Sequence, residues 1–372
     1  MRDWNRDVNR LADELIAAGK LHSPAWIKAF TQVPRHVFVP HFWLQDPDGW
    51  RQVDASTDEG WEAIYSNKGL FTALDDNKLG ISSSSMPGLM TRMLEILDVQ
   101  AGHRVLEVGT GTGYNAALLS AYLGDSNVYS VDIEFVEAAA NRLASLGMQP
   151  TLDTRDGREG FAEAAPFDRI MATCAVSTIP AEWISQLAPG GMILADLKVN
   201  RGAGNLVLLH RTGPESAEGR FVPGWAEFMS MRTENTTAPT ARSGRDDDKL
   251  HHTTTRITGQ PWGHTVPWFM ASFELPAGVQ VGLRIREGYT WWTITTPDGS
   301  RAEVCETGTG NQRDVIQSGP CRLWEPIENA FAEWENAGSP DWPRFGLTVE
   351  SGAHTVCLDD PTGTHSWKRA IS

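Results

Sequence analysis

At 372 residues the chain is long enough for two domains, and its 41% hydrophobic content is ordinary for a folded protein. A net charge of −15 argues against nucleic acid as a partner, because phosphate binding draws on lysine- and arginine-rich surfaces. No apolar run approaches bilayer length, the first residues (Arg2, Asp3, Arg6) lack the apolar core of a signal peptide, and Cys174, Cys305, Cys321 and Cys357 form no Cys-x-x-Cys pair, so a reduced cytoplasmic setting with no membrane partner and no structural zinc is expected.

The first 40 residues read as helical. Leu11, Leu15 and Ile16 form a helix-spaced stripe, and Pro24 suits the start of a second helix through Trp26, Ile27 and Phe30. Pro34 and Pro40 bracket a segment, 35–39, predicted to be extended. Residues 41–61 carry Trp43, Trp50 and Trp61 among Asp, Pro and Gly and read as an ordered loop or insertion. A helix is predicted from Pro87, with Leu89, Met90, Met93, Leu94 and Leu97 on its apolar face and Ser83, Ser84 and Ser85 as caps.

The pattern then alternates. Apolar runs at 105–108, 128–131, 170–172, 192–194 and 206–209 read as strands, and 115–123, 134–146 and 181–187 as helices. This alternation predicts an α/β fold with a mostly parallel, doubly wound, Rossmann-like sheet whose carboxyl edge carries the ligand loops. Composition shifts near residue 212. Residues 232–256, rich in Thr, Arg and Asp and including Asp246, Asp247 and Asp248, read as a linker or long loop. Short β-like runs at 279–285, 291–295 and 345–349 and a helix around Phe331 and Trp334 follow. The reading divides the chain into a first domain, 1–212, with a helical part at 1–80, and an α+β C-terminal region, 213–372.

The chemistry concentrates at Glu107-Val108-Gly109-Thr110-Gly111-Thr112-Gly113, where a strand ends in a glycine turn and opens a helix. The spacing is G-x-G-x-G, and Tyr114 stands where a dinucleotide fingerprint has its third glycine. A carboxylate two residues before the first glycine repels a pyrophosphate but tolerates a cation or a ribose hydroxyl. The pattern therefore favours S-adenosylmethionine over NAD. Asp132 ends the next strand and Asp156-Gly157 follows a later one. The candidate cofactor-binding residues are Glu107, Gly109, Thr110, Gly111, Gly113, Asp132, Ile133, Asp156 and Gly157. Cys174 reads as a packed thiol. The adjacent His251 and His252 would not share a face on regular structure, so no metal is expected.

These residues resemble the protein-L-isoaspartate O-methyltransferase family over roughly residues 10–210. Val33-Pro34-Arg35-His36-Val37-Phe38-Val39-Pro40 is like the family's VPR-x-x-FVP, and Leu106 through Tyr114 is close to LEIGTGSGY. Ala63-Ile64-Tyr65, Asp156-Gly157, Ala165-Pro166-Phe167-Asp168, Ile179-Pro180, Gln186-Leu187 and Gly190-Gly191 match further motifs in order. The resemblance implies a class I methyltransferase fold with S-adenosylmethionine as donor and S-adenosylhomocysteine as product. It also implies that Ser85 aims the incoming carboxylate, with Ser83, Ser84 and Met86 as further substrate contacts.

Two places depart from the family pattern. One is Ser82-Ser83-Ser84-Ser85-Met86-Pro87, where the family reads S-Q-P or S-A-P. The other is Asn200-Arg201-Gly202-Ala203-Gly204-Asn205, which replaces a glycine-rich segment. With its long C-terminal region, the chain looks like the actinobacterial branch that accompanies ATP-grasp ligases in graspetide maturation, with lanthipeptide-associated cousins. That likeness implies as partner a ribosomally made precursor peptide, crosslinked by such a ligase. An Asp side-chain carboxylate in it is methylated, and the ester closes to a succinimide (aspartimide). The C-terminal region would recognise the peptide. Isoaspartyl repair and a non-catalytic peptide-binding scaffold are the alternatives.

Overall fold

Val105–Val108 is buried at every position, as a central parallel strand covered on both faces must be. A computed structural model describes residues 2–232, 250–308, 311–350, 353–361, 363 and 365–370 of the chain. The strand lies in a ten-stranded sheet. From one edge the order is Thr151–Thr154, Val128–Asp132, Val105–Val108, Phe167–Val176, Leu187–Asn200, Ala203–Arg211, Ser216–Phe221, Phe345–Glu350, Ala353–Leu358 and Ser366–Ala370. The first five run parallel, and the remaining five pair antiparallel. The sheet is therefore mixed. The change of direction has a local cause: only Arg201 and Gly202 connect Asn200 to Ala203, which face each other across the ladder, and so short a connection makes a hairpin. Gly202 supplies the positive φ, 68°.

Alternate side chains feed two cores. Leu106, Val108, Ile170, Ile193 and Val207 pack on one face with Trp183, Trp268, Phe269, Trp324 and Trp342. Val105, Met171, Leu194 and Leu206 pack on the other with Val8, Leu11 and Phe30. Helix Tyr114–Leu123 belongs to this second core and is buried around most of its circumference, with Tyr122 meeting Trp26 of helix Pro24–Gln32 at a centroid distance of 4.6 Å.

The predicted boundary at 212 leaves no seam in the described structure. Ser216–Phe221 pairs on one side with Ala203–Arg211 and on the other with Phe345–Glu350. Trp342 packs against Phe221 at 5.3 Å and Phe269 at 5.1 Å. The rest of this region is a second sheet, ordered His251–Thr255, Arg313–Ser318, Arg301–Cys305, Tyr289–Thr295 and Gln280–Arg286, with helices Thr265–Ala271 and Trp324–Asn336. Of the stretch read as a linker, residues 233–249, with Asp246, Asp247 and Asp248, lie outside the described residues. His251 and His252 are successive residues of a strand and face opposite ways. Among the described residues no cluster could hold a metal ion, and no helix is long and apolar enough to cross a membrane.

The N-terminal 80 residues are not all helical. Trp4–Ala17 and Pro24–Gln32 are helices, but residues 35–39 form a one-turn helix, Arg35–Phe38, rather than an extended segment. Residues 41–61 form the hairpin His41–Asp46 with Gly49–Asp54, then helix Asp58–Ile64 capped by Thr57. The hairpin joins Leu70–Leu74 and Gly80–Ser84 in a four-stranded sheet. Ser83 and Ser84 are therefore strand residues and cap nothing. Helix Pro87–Ile96 starts after Met86, and the side chain of Asn67 accepts the Gly88 N–H at 2.8 Å.

Trp342 ties Ser216–Phe221 to the C-terminal region. Trp342→Ala is expected to cost about 3–5 kcal/mol and to lower the melting temperature of the whole chain within one calorimetric transition. Two separated transitions would mean that the C-terminal region melts independently.

Candidate functional site

The parallel half of the sheet presents its carboxyl ends to a cleft of about 340 Å³. Its floor is the glycine turn after Val105–Val108. Gly109 has φ of 104°, and a Cβ there would lie 2.7 Å from Thr173 Oγ1, so only glycine fits. A Cβ on Gly111, whose φ is 51°, would touch the Gly109 and Ser83 carbonyls at 3.9 Å, so the turn and the serine strand approach each other across the cleft.

The turn is held from below. The N–H groups of Gly109 and Thr110 donate to the Val131 carbonyl at 2.8 and 3.2 Å, and the Gly111 N–H donates to Asp132 Oδ2 at 2.9 Å. Thr110 and Ser130 hydroxyls meet at 2.7 Å, Ser130 Oγ donates to Glu107 Oε2 at 2.6 Å, and Asn115 Nδ2 donates to Glu107 Oε1 at 2.8 Å. Glu107 is fully buried, and burial pushes its carboxyl up to about 7 despite the hydrogen bonds from Ser130 and Asn115. Both its oxygens are hydrogen-bonded within the protein, and the residue underpins the turn at the wall of the cleft.

The other predicted residues divide. Asp132, Ile133 and Gly157 line the cleft along with Thr110 and Phe135. Asp156 does not; Arg158 takes its carboxylate through both side chain and backbone N–H and holds it below the usual carboxylate range. Its sequence partner Gly157 is the close-approach residue, since a Cβ would sit 2.6 Å from Val108. Cys174 lines the cleft as a thiol pushed up to about 12 by burial, and is therefore protonated at neutral pH.

The opposite wall comes from Gly80–Ser84 and the residues after it. Ser83, Ser85 and Met86 line it, with Ser85 half-buried and Met86 exposed at the mouth. No group among the described residues is hydrogen-bonded to the Ser85 hydroxyl. Ser84 also lines the cleft, but its buried hydroxyl accepts from Arg35 Nε at 3.3 Å and Nη2 at 3.2 Å. Arg35 itself is 1% exposed. It also donates to the carbonyls of Ile64 (2.9 Å), Ser66 (3.2 Å), Lys68 (2.9 Å), Ser84 (3.2 Å) and Ser85 (3.1 Å). Its guanidinium lies 5.9 Å from the Tyr114 ring centroid, and burial pulls it down to about 10, still fully charged at neutral pH.

The sequence reading misses the roof. Residues 227–232 close the cleft. Ala175 N–H donates to the Met229 carbonyl at 2.8 Å, Met231 N–H donates to the Ala175 carbonyl at 2.7 Å, and Arg232 pairs with Glu134 at 2.9 Å and lies 5.5 Å from the Phe135 ring. The only local hint is the apolar run Phe228-Met229-Ser230-Met231 just past the composition shift.

This lining suits a cationic nucleoside. Its guanidinium, Arg232, is paired with Glu134 and its Glu227 with Lys198, which leaves Asp132, in no ion pair among the described residues, as the carboxylate facing the cleft. Asp132 would meet ribose hydroxyls, Ile133 and Phe135 offer apolar surface to a base, and the side-chain-free Gly111 leaves room between the turn and Ser83. The residues present fit S-adenosylmethionine.

Comparison with known proteins agrees. A model of the family described as protein-L-isoaspartate(D-aspartate) O-methyltransferase matches residues 5–222. The protein-L-isoaspartate O-methyltransferase of Methanothermobacter thermautotrophicus is 32% identical over 58% of this chain and 91% of its own length. That of Hyperthermus butylicus is 30% identical over 62% and 96%. A solved protein-L-isoaspartate O-methyltransferase shares the fold with a TM-score of 0.55 at 20% identity, covering 98% of this chain and 99% of that one. A C-terminal region of this extent is therefore not peculiar to this chain, and length alone does not set it apart from that family.

The carboxyl of Glu107 supplies a pH test. Folding favours its protonated form, while the unfolded chain ionises it near the ordinary 4.5, so stability falls as pH rises from about 4.5 to about 7. The full loss is roughly 3 kcal/mol. Glu107→Gln removes that loss. Its melting temperature relative to the wild type is expected to rise between about pH 5 and pH 8; a constant difference would show that Glu107 ionises freely in the fold.

Proposed function

The chain belongs to the protein-L-isoaspartate(D-aspartate) O-methyltransferase family, and from that premise we propose that it methylates the side-chain carboxylate of an aspartate in a ribosomally made, ester-crosslinked peptide, the ester then closing to a succinimide. The chain is an S-adenosylmethionine-dependent protein carboxyl O-methyltransferase. The observation that carries the proposal is the facing of two walls in one cleft: a glycine turn that leaves room for the donor, and a serine rim whose Ser85 hydroxyl is not hydrogen-bonded to any described residue.

The donor supplies a methyl group already activated by its sulfonium charge. The acceptor is a carboxylate, ionised at neutral pH because its pKa is near 4. Neither partner needs a strong acid or base, so the work left to the protein is alignment and exclusion of water. Ser85 would donate to one carboxylate oxygen and leave the other aimed across the cleft. That oxygen bonds to the methyl carbon as the carbon–sulfur bond breaks, giving the methyl ester and S-adenosylhomocysteine. The amide nitrogen of the next peptide residue then attacks the ester carbonyl. Methanol leaves, carrying the amide proton, and the five-membered imide closes.

The acceptor side carries the two departures from the family pattern. The methionine at position 86 is 39% exposed at the mouth. The hairpin turn at Arg201 and Gly202, where a glycine-rich segment is expected, is packed down by the C-terminal region: Trp268 Nε1 donates to the Arg201 carbonyl at 2.8 Å, and a Cβ on Gly202 would lie 3.7 Å from Trp262. Isoaspartyl repair is the second reading, favoured by relatives of that name that match over nine-tenths of their length.

A crosslinked precursor peptide incubated with the enzyme and donor is expected to gain one methyl group and then lose methanol, as followed by mass spectrometry. Replacing the target Asp by Asn in the peptide should abolish both changes. Efficient turnover of an isoaspartyl test peptide, with none on the Asp peptide, would select repair instead. Ser85→Ala is expected to lower kcat roughly 10–100-fold while S-adenosylhomocysteine affinity holds. A fall in cofactor affinity alone would assign Ser85 to the donor side.

A further inference from the structure

We propose that Asp196 is a positioning residue for the donor site: its buried carboxylate anchors the segment that roofs the cleft, although Asp196 itself lines no part of it. The inference rests on the cleft being where the donor binds.

The segment after Ser216–Phe221 crosses the carboxyl ends of the sheet without joining a ladder. Backbone bonds hold it near its ends, Val222 N–H to the Leu206 carbonyl at 2.9 Å and the bridge between Ala175 and Ser230, and side chains hold it between. Asn205, fully buried, donates to the carbonyls of Val222 at 3.1 Å and Gly224 at 3.0 Å and accepts the Ala226 N–H at 3.0 Å. Asp196, also fully buried on Leu187–Asn200, accepts the Phe228 N–H through Oδ2 at 2.8 Å. Lys198, two residues along the same strand face, donates to the Phe228 carbonyl and pairs with Glu227 at 3.2 Å. The backbone N–H and C=O of one residue, Phe228, are thus gripped from a single strand, immediately before Met229, Ser230, Met231 and Arg232 enter the cleft lining.

The burial of Asp196 gives the contact its weight. A carboxylate taken from water is costly unless hydrogen-bonded. Among the described residues Asp196 Oδ1 has no hydrogen-bond partner, so Phe228 N–H is the hydrogen bond that satisfies the group. If the roof lifts, the carboxylate loses its protein donor and the Phe228 N–H loses its acceptor. The strand and the roof therefore favour one another, and closure is built into the resting fold rather than left for the ligand to induce. Ligand affinity then includes the stability of this anchor, because a roof that is open part of the time lowers apparent affinity by the fraction closed.

The test measures S-adenosylhomocysteine binding to the full chain by calorimetry, alongside KM for the donor, KM for the peptide and kcat. Asp196→Ala is expected to raise the Kd for S-adenosylhomocysteine and KM for the donor about tenfold or more, with KM for the peptide unchanged. Asp196→Asn keeps an oxygen that can accept the Phe228 N–H and should restore affinity to within a few-fold, which a role for the charge alone would not allow. Lys198→Met, which keeps the aliphatic stem and removes both polar contacts, should weaken binding several-fold. A folded Asp196→Ala chain with unchanged affinity would overturn the proposal. If that variant fails to fold, unchanged affinity in Lys198→Met overturns it. A wild-type chain that does not bind S-adenosylhomocysteine overturns the donor-site reading, and this inference with it.

Discussion

The acceptor half of the cleft depends on a guanidinium that pairs with no carboxylate among the described residues. Arg35 is buried, and its charge is balanced by five backbone carbonyls, the Ser84 hydroxyl and the nearby Tyr114 ring. Arginine is suited to this because its planar fork carries five donors in fixed directions, whereas lysine offers three on one point charge. The carbonyls belong to separate stretches of chain, the loop at 64–68 and the end of Gly80–Ser84, so one side chain closes what no ladder connects. Desolvation makes the arrangement all-or-none: with a single carbonyl withdrawn the charge is still buried, and the penalty falls on the remaining bonds. The serine rim stands where it does because this centre is satisfied only in one arrangement.

The donor half is organised on a different plan, from hydroxyl and amide groups around a carboxyl that burial keeps near neutrality. The two halves meet through Tyr114, which opens the helix behind the glycine turn and faces Arg35. That contact gives rigid support to both reacting centres from the same element. Alignment is the main demand of methyl transfer between two ready partners, so a cleft with two pre-set walls and a pinned roof is what the chemistry calls for.

What could be read from the sequence was local. The glycine turn announces itself because positive φ restricts residue choice, and the strand-end Asp132 follows from βαβ spacing. Side-chain direction does not. Glu107 has the spacing of a ligand contact, yet Ser130 and Asn115, reached only through folding, claim it. Asp156 is claimed by its near neighbour Arg158, a competitor visible in the sequence. Residues 35–39 read as extended from the flanking prolines, but the distant carbonyls that Arg35 serves impose a helical turn. Trp43 and Trp50 looked scattered because cross-strand pairing, with Trp43 opposite Gln52, has no linear signature. The roof and its anchors were illegible for the same reason: Asp196 and Phe228 are neighbours only in space. The hairpin at Arg201 and Gly202 is a further local cue, and it decides the sheet's polarity.

The continuity of the large sheet bears on how the polypeptide matures on the ribosome. Ser216–Phe221 is synthesised well before the strand that covers its outer side, Phe345–Glu350. At roughly 5–20 residues per second, the nascent chain carries an uncovered β-edge, with Phe221 awaiting its aromatic neighbours, for many seconds. Such an edge is a template for wrong pairing with a second nascent chain. Completion of the sheet is therefore timed by the emergence of Phe345–Glu350, and protection of that edge in the interval is a demand that this topology places on the cell.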